Sequence, residues 1–226
     1  MATTKHKKKR NINRKQRQIK IMQINLQHSR TATDTTMKLT KQEHTDILLV
    51  QEPYQIRHKL TGFTRSYRTY TPSEEKSRAT IIITNDNVDA LLIKQLCDRD
   101  TTIEVRYNSM QIFMVSMCLD IKEEINDKLA KVDEIIKFGE GMGILIPMDS
   151  NVRSHAWHDK QTNLRGRILE EYLASRDLNI INQESEKTRT KQEGEKATDI
   201  TITNNQILKK LKDWKLVWKK AVQIPI

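Results

Sequence analysis

Disulfide chemistry is the first thing this chain lacks. Its only cysteines, Cys97 and Cys118, form no Cys-x-x-Cys pair, which excludes a disulfide-stapled secreted scaffold and favours a reducing compartment. Glycine and proline are also scarce, six and four in 226 residues, so no flexible linker divides the body. Aromatic residues are 5% of the chain, which leaves Ile, Leu, Val and Met to build the core. No apolar run approaches the ~18 residues of a membrane span, and the amino terminus lacks the apolar stretch of a signal peptide. A soluble, intracellular chain with no membrane partner is expected.

Acidic residues are absent from one place in particular. The first twenty residues hold nine Lys and Arg and no Asp or Glu, within a net charge of +11, so the remainder is nearly balanced. The expected organisation is a basic, disordered arm over 1–18, one domain over 19–214 and an atypical tail over 215–226. Such an arm attracts nucleic acid or serves as a nuclear address, and a solvated tail without a role fits the same composition.

What is present is a series of short apolar runs. Residues Ile19–Gln27 alternate apolar and polar and read as a strand, and Asp46–Tyr54 is a continuous apolar strand halted by Pro53. Thr31–His44 reads as a polar helix and 55–78 as a long loop. Three β-rich runs follow, at 79–86, 101–107 and 110–119, with Asn-Asp and Asn-Ser turn chemistry between them. Helical spacing appears over 121–140 and 163–178, and Ile144–Asp149, 179–182 and 198–205 read as strands. Near the end, lysines alternate with Leu and Trp, as an amphipathic basic helix or as a tail without a partner strand. The pattern predicts an α/β fold of two stacked mixed sheets flanked by helices, a four-layer sandwich.

Several predicted strands carry or end on carboxylates or amides: Asn25, Glu52, and the pair Asp149 and Asn151, with Asp199 opening a late strand. Phosphodiester hydrolysis uses such groups, because oxygen ligands hold a hard divalent cation and a second group must orient or deprotonate water. Asp149 and Asn151, two apart on one strand, leave the same face. Turns use the same residue types, so each motif alone is also consistent with a turn. His155 and His158 lack further ligands for a zinc site, and Cys118, with no base nearby in sequence, reads as a buried core thiol.

The succession "QINL", "VQEPY", "SRATIIITN", "MDSN", "RGRILEEYL", "NIIN", "TDITITNN" and "DW" resembles the endonuclease domain of non-LTR retrotransposons. That domain belongs to the endonuclease/exonuclease/phosphatase family with AP endonucleases and DNase I. The resemblance spans about Ile19 to Trp214 and implies a DNase I-like fold. It implies Glu52 as ligand for Mg²⁺ or Mn²⁺, with Asn25 beside it on the metal shell or the phosphate. It further implies Asp149 orienting or deprotonating water, Asn151 bonding the phosphate, and Asp199 holding a terminal histidine in its tautomer. Arg153, beside the Asp-x-Asn motif, is a candidate phosphate contact. DNA would be the substrate, nicked to leave a 3′-hydroxyl, with a reverse transcriptase domain as partner in a complete element. A monomer in the nucleus is the accompanying expectation.

Two departures touch catalysis. Relatives carry Ser-Asp-His shortly after "DW", whereas no histidine follows His158 here. Cys118 stands where an active-site tyrosine aligns, and a thiol matches a phenol in neither reach nor donor strength. The sequence therefore leaves three readings: a catalytically impaired, carboxy-terminally truncated nuclease, a non-catalytic nucleic-acid-binding relic, and an incompletely folding relic with an unpaired sheet edge.

Overall fold

The computed structural model describes residues 18–72, 77–182, 199–212, 215–218 and 221–225. The basic arm, up to residue 17, lies outside them. The first sheet contains β1 (Lys20–Asn25), β2 (Ile47–Gln51), β5 (Arg68–Tyr70), β6 (Ala79–Ile83), β13 (Lys215–Trp218) and β14 (Ala221–Pro225). Its order is β13-β14-β1-β2-β6-β5. The second contains β7 (Asp89–Leu92), β8 (Thr101–Tyr107), β9 (Met110–Cys118), β10 (Gly143–Asp149), β11 (Leu178–Ile180) and β12 (Asp199–Asn204), in the order β11-β12-β10-β9-β8-β7. A small hairpin, β3 (Gln55–Ile56) and β4 (Lys59–Leu60), stands apart. Helices α1 (Arg30–Gln42), α2 (Ile125–Phe138), α3 (Leu164–Ser175) and the short α4 (Asn205–Leu208) complete the described elements.

Each sheet is mixed for the same reason. Its central pair, β1 with β2 and β9 with β10, is parallel and joined through a helix, while all other pairings are antiparallel. Parallel neighbours require a crossover, and α1 and α2 supply the two.

Side-chain alternation sorts the strands into layers. Ile21, Ile47, Leu49, Ile112, Met114 and Leu145 meet in a cluster between the sheets. Met22, Ile24, Leu48 and Val50 turn to the other face, packing with Ala32 and Leu39 of α1. On the far side Phe113, Val115, Ile144, Ile146 and Met148 pack with Leu129 and Val132 of α2 and Leu169 and Leu173 of α3. The four-layer sandwich is therefore present. α1 can bury Thr33, Thr36 and Thr40 because each hydroxyl donates to the carbonyl four residues earlier, at 2.7–2.9 Å.

Three sequence expectations need correction. The region 55–78 is not all loop: β5 joins the sheet edge, held where the Tyr70 hydroxyl donates to Ala90 O at 2.9 Å. β7 was not anticipated, being four residues long with only Leu92 and Ala90 packed against the inter-sheet core. The third concerns the tail. β13 and β14 form a hairpin, and β14 runs antiparallel to β1 from Ala221 opposite Ile24 to Pro225 opposite Lys20. The strand expected to be missing is in place, and β1 is no exposed edge. Beyond α4 the carboxy-terminal lysines therefore belong to no long basic helix among the described residues. Among those residues, too, no helix is long and apolar enough to cross a membrane.

Asn-Ser chemistry performed as expected: Asn108, at φ +54°, turns the tight hairpin between Tyr107 and Met110. A different constraint acts at Gly166. A Cβ there would lie 2.1 Å from the Arg153 carbonyl oxygen, in the backbone that α3 presses against. Gly166→Ala is expected to lower the melting midpoint, by the roughly 1–3 kcal/mol of an overpacked contact; an unchanged melt would show that the loop yields freely.

Candidate metal and catalytic site

The inner face of each central strand changes character toward one end. On β1 the inward residues run Ile21, Gln23, Asn25; on β9, Met114, Ser116, Cys118; on β10, Leu145, Pro147, Asp149. β12 runs the opposite way and contributes Thr203, Thr201, Asp199. Apolar packing thus gives way to a polar layer and then, two residues further, to the candidate site.

The polar layer fastens the sheets together. Gln23 Nε2 donates to Ile200 O at 3.3 Å, and its Oε1 accepts from the Thr201 hydroxyl at 2.6 Å. Gln51 Nε2 donates to Ser116 Oγ at 3.0 Å, and that hydroxyl donates onward to Val50 O at 2.9 Å. All four side chains are buried, where a hydrogen bond with a displaced partner is expensive. These bonds fix how one sheet slides on the other. None of the four was singled out from sequence. The available signal was a polar residue on the inward register, two positions from Asn25, Cys118 and Asp199 and immediately before Glu52.

Beyond this layer the sheets meet at the site. Asn25 Nδ2, from the first sheet, donates to Asp149 Oδ2 of the second at 2.7 Å. Asn25 Oδ1 accepts from the Gln27 backbone at 2.8 Å, which fixes the orientation of the amide. Asp149 is cross-strand partner to Cys118 on one side and to Asp199 on the other. Glu52 follows β2, where regular alternation would turn it outward. Its φ of +46°, in the left-handed region, re-aims it. Its backbone is held by donation of its N–H to Arg78 O at 2.8 Å and by acceptance from His28 N–H at 2.9 Å.

Ligand atoms of Glu52, Cys118 and Asp149 all lie within 4.8 Å of one another. Among the described residues no other trio of His, Cys, Asp and Glu converges in this way. Two carboxylates and a sulfur at such separations can share one divalent ion, whose bonds are about 2.0–2.6 Å long. The donor set therefore fits a metal. The Cys118 thiol is buried, and its Sγ lies 3.9 Å from Asp149 Oδ2. Burial pushes its pKa well above the usual thiol value, and the charges of Asp149, Glu52 and Asp100 push it further. The group is therefore a protonated donor toward Asp149 in the metal-free protein. Sequence had read it as a core thiol; it is buried, and it belongs to the site.

The remaining expected residues take differing positions. Asn151 has φ +48°, so the two-residue alternation from Asp149 does not continue to it, and its Nδ2 donates to Leu119 O at 3.0 Å. Asp199 opens β12 directly opposite Asp149. Arg153 braces its own loop, with Nε donating to Asp159 Oδ1 at 2.9 Å and Nη1 to Gln161 at 3.0 Å. The guanidinium carries five N–H donors, so these bonds still leave hydrogens for a phosphate contact. Trp157 is buried, donating to Val152 O at 3.2 Å, while His155 and His158 flank it in solvent.

Comparison with solved structures agrees with this architecture. The chain superposes on the endonuclease domain of TRAS1, a telomere-specific non-LTR retrotransposon, with a TM-score of 0.78 and 21% identity, over 92% of this chain and 98% of that one. It superposes on the AP endonuclease LMAP from Leishmania major with a TM-score of 0.68 and 10% identity, over 93% and 88%. An AP endonuclease from Archaeoglobus fulgidus gives 0.65 and 12%, over 92% and 98%. No curated protein sequence matches significantly. The fold is thus the DNase I-like α/β sandwich of endonucleases, exonucleases and phosphatases. A family profile described as endonuclease-reverse transcriptase matches residues 107–221, half of the chain, and the chain belongs to that family.

Proposed function

We propose that this chain is a divalent-metal-dependent DNA endonuclease domain of retrotransposon type, which nicks one strand by phosphodiester hydrolysis. The observation that carries the reading is the convergence of Glu52 from the first sheet with Asp149 from the second, within 4.8 Å. Glu52 would hold Mg²⁺ or Mn²⁺, with Asn25 and Asp149 adjoining. A cation bound there neutralises charge on the scissile phosphate. Asp149 orients the attacking water and accepts its proton, its carboxylate fixed by the Asn25 amide. Asn151 gives one Nδ2 hydrogen to Leu119 and has a second for a phosphate oxygen. Asp199, beside Asp149, adds negative charge that favours a cation.

No histidine follows His158 in this sequence, and Cys118 occupies the centre. A thiol standing in for an acid–base group lowers the rate by about 10²–10⁴, so slow turnover is part of the proposal. The basic residues of the first eighteen positions support DNA attachment and delivery to the nucleus.

Supercoiled plasmid incubated with the protein and Mg²⁺ or Mn²⁺ should convert slowly to open circles bearing extendable 3′-hydroxyls, and a chelator should stop the conversion. DNA retained in a salt-sensitive way but never nicked with either cation would overturn the nuclease reading. Cys118, a weak donor at the centre, favours that outcome, a binding-only domain, as the alternative.

A further inference from the structure

We propose that Cys118 makes this centre selective for borderline and soft divalent cations, of the Zn²⁺ and Cd²⁺ class, over Mg²⁺. The inference rests on the divalent centre assigned above and deepens it. Hard cations take oxygen ligands, whereas thiolate sulfur selects zinc and softer ions. Here a sulfur sits within 4.8 Å of both Glu52 and Asp149 carboxylate oxygens. The approach is imposed by the fold. Asp149 and Cys118 are register partners on adjacent parallel strands, and the Cys118 N–H is pinned by Asp100 Oδ1 at 3.0 Å. The Cα and Cβ of Cys118 are thereby fixed beside Asp149, within side-chain reach of the centre.

Binding is an exchange of partners on sulfur. The Sγ–H bond breaks, an Sγ–metal bond forms, and the proton passes to the buffer. Oxygen-only competitors such as Mg²⁺ gain nothing from that exchange and must tolerate a neutral thiol among their neighbours. The other cysteine provides an internal control. Cys97 donates to Ile93 O at 3.4 Å and lies outside the metal-ligand cluster.

Cd²⁺ titrated into the full-length protein should produce the ultraviolet thiolate-to-cadmium charge-transfer band, saturating at one ion per chain. The band should persist in Cys97→Ser and vanish in Cys118→Ser and in Cys118→Ala, with each variant's thermal melt checked for an intact fold. Loss of an outer-shell partner costs about 10–100-fold in metal affinity, so losing the sulfur itself should weaken Cd²⁺ by more than ~100-fold. Mn²⁺ affinity should fall far less. A band that survives in Cys118→Ala, or is absent from the wild type, overturns the inference. Mn²⁺ binding on the same samples separates the two readings. If Mn²⁺ binds and no cadmium band forms, the divalent centre stands and the role of Cys118 falls; if Mn²⁺ does not bind at all, the centre itself is refuted.

Discussion

Asp149→Asn will reduce plasmid nicking by about 10²–10⁴-fold while leaving DNA retention and the thermal melt close to wild type. The substitution preserves shape. An asparagine at 149 can still accept from Asn25 Nδ2, now 2.7 Å from Asp149 Oδ2, through its amide oxygen. What disappears is the negative charge and the basic oxygen. Asp149 is 3% exposed, so that charge acts where water screens it little. If the residue served only to tie the two sheets together, the isosteric variant would nick at the wild-type rate. Nicking rates against Mn²⁺, followed alongside a melt of each protein, separate these outcomes.

Lys128→Met will destabilise the fold by about 3–5 kcal/mol, the expected loss when one partner of a buried pair is removed. Lys128 Nζ lies 2.5 Å from Asp100 Oδ2, and the two side chains are 10% and 3% exposed. The pair sits behind the site, because Asp100 Oδ1 also accepts the Cys118 N–H. Burial already holds the Asp100 carboxyl above its usual pKa, opposed by the charge of Lys128. Without the lysine that upward shift grows. A carboxyl raised in the folded state binds its proton more tightly there than in the unfolded chain, so stability falls as pH rises through the gap. The variant should therefore be weakest near neutrality and recover toward wild type as the medium is acidified through the raised value toward the ordinary carboxylate range. A denaturant series at several pH values checks this; a deficit independent of pH would mean that Lys128 contributes packing rather than charge.

Much of this architecture was legible in the sequence because the central strands are apolar runs bounded by polar and turn residues. The run from Ile19 reads as a strand and is β1, although both of its faces are covered rather than one, and Gly143–Asp149 is buried on both faces, as its unbroken apolar character implied. Asn25, Glu52 and Asp149 were identified from motif order, and they are the residues the fold gathers. What escaped was non-local. β5, β7 and the hairpin β13–β14 are short, and whether such segments pair depends on a neighbouring edge far away in sequence. β14 finds β1 across some two hundred residues, an encounter no local window contains. The alternation assumed to link Asp149 and Asn151 stops at Asp149, where β10 ends, and Asn151 is left-handed. The same kind of departure at Glu52 brings its carboxylate to the centre. Cys118 was undervalued because burial and function were weighed as alternatives, whereas its neighbours in register place it in both.

Mn²⁺ titration, followed by the paramagnetic resonance of the free ion, tests most directly whether two sheets share one cation. One ion per chain should bind, and Glu52→Gln and Asp149→Asn should each weaken it by at least about tenfold, the size of effect expected when a metal's surroundings lose a partner. Binding that survives Glu52→Gln unchanged, or that depends on one of the two carboxylates and ignores the other, would contradict the account.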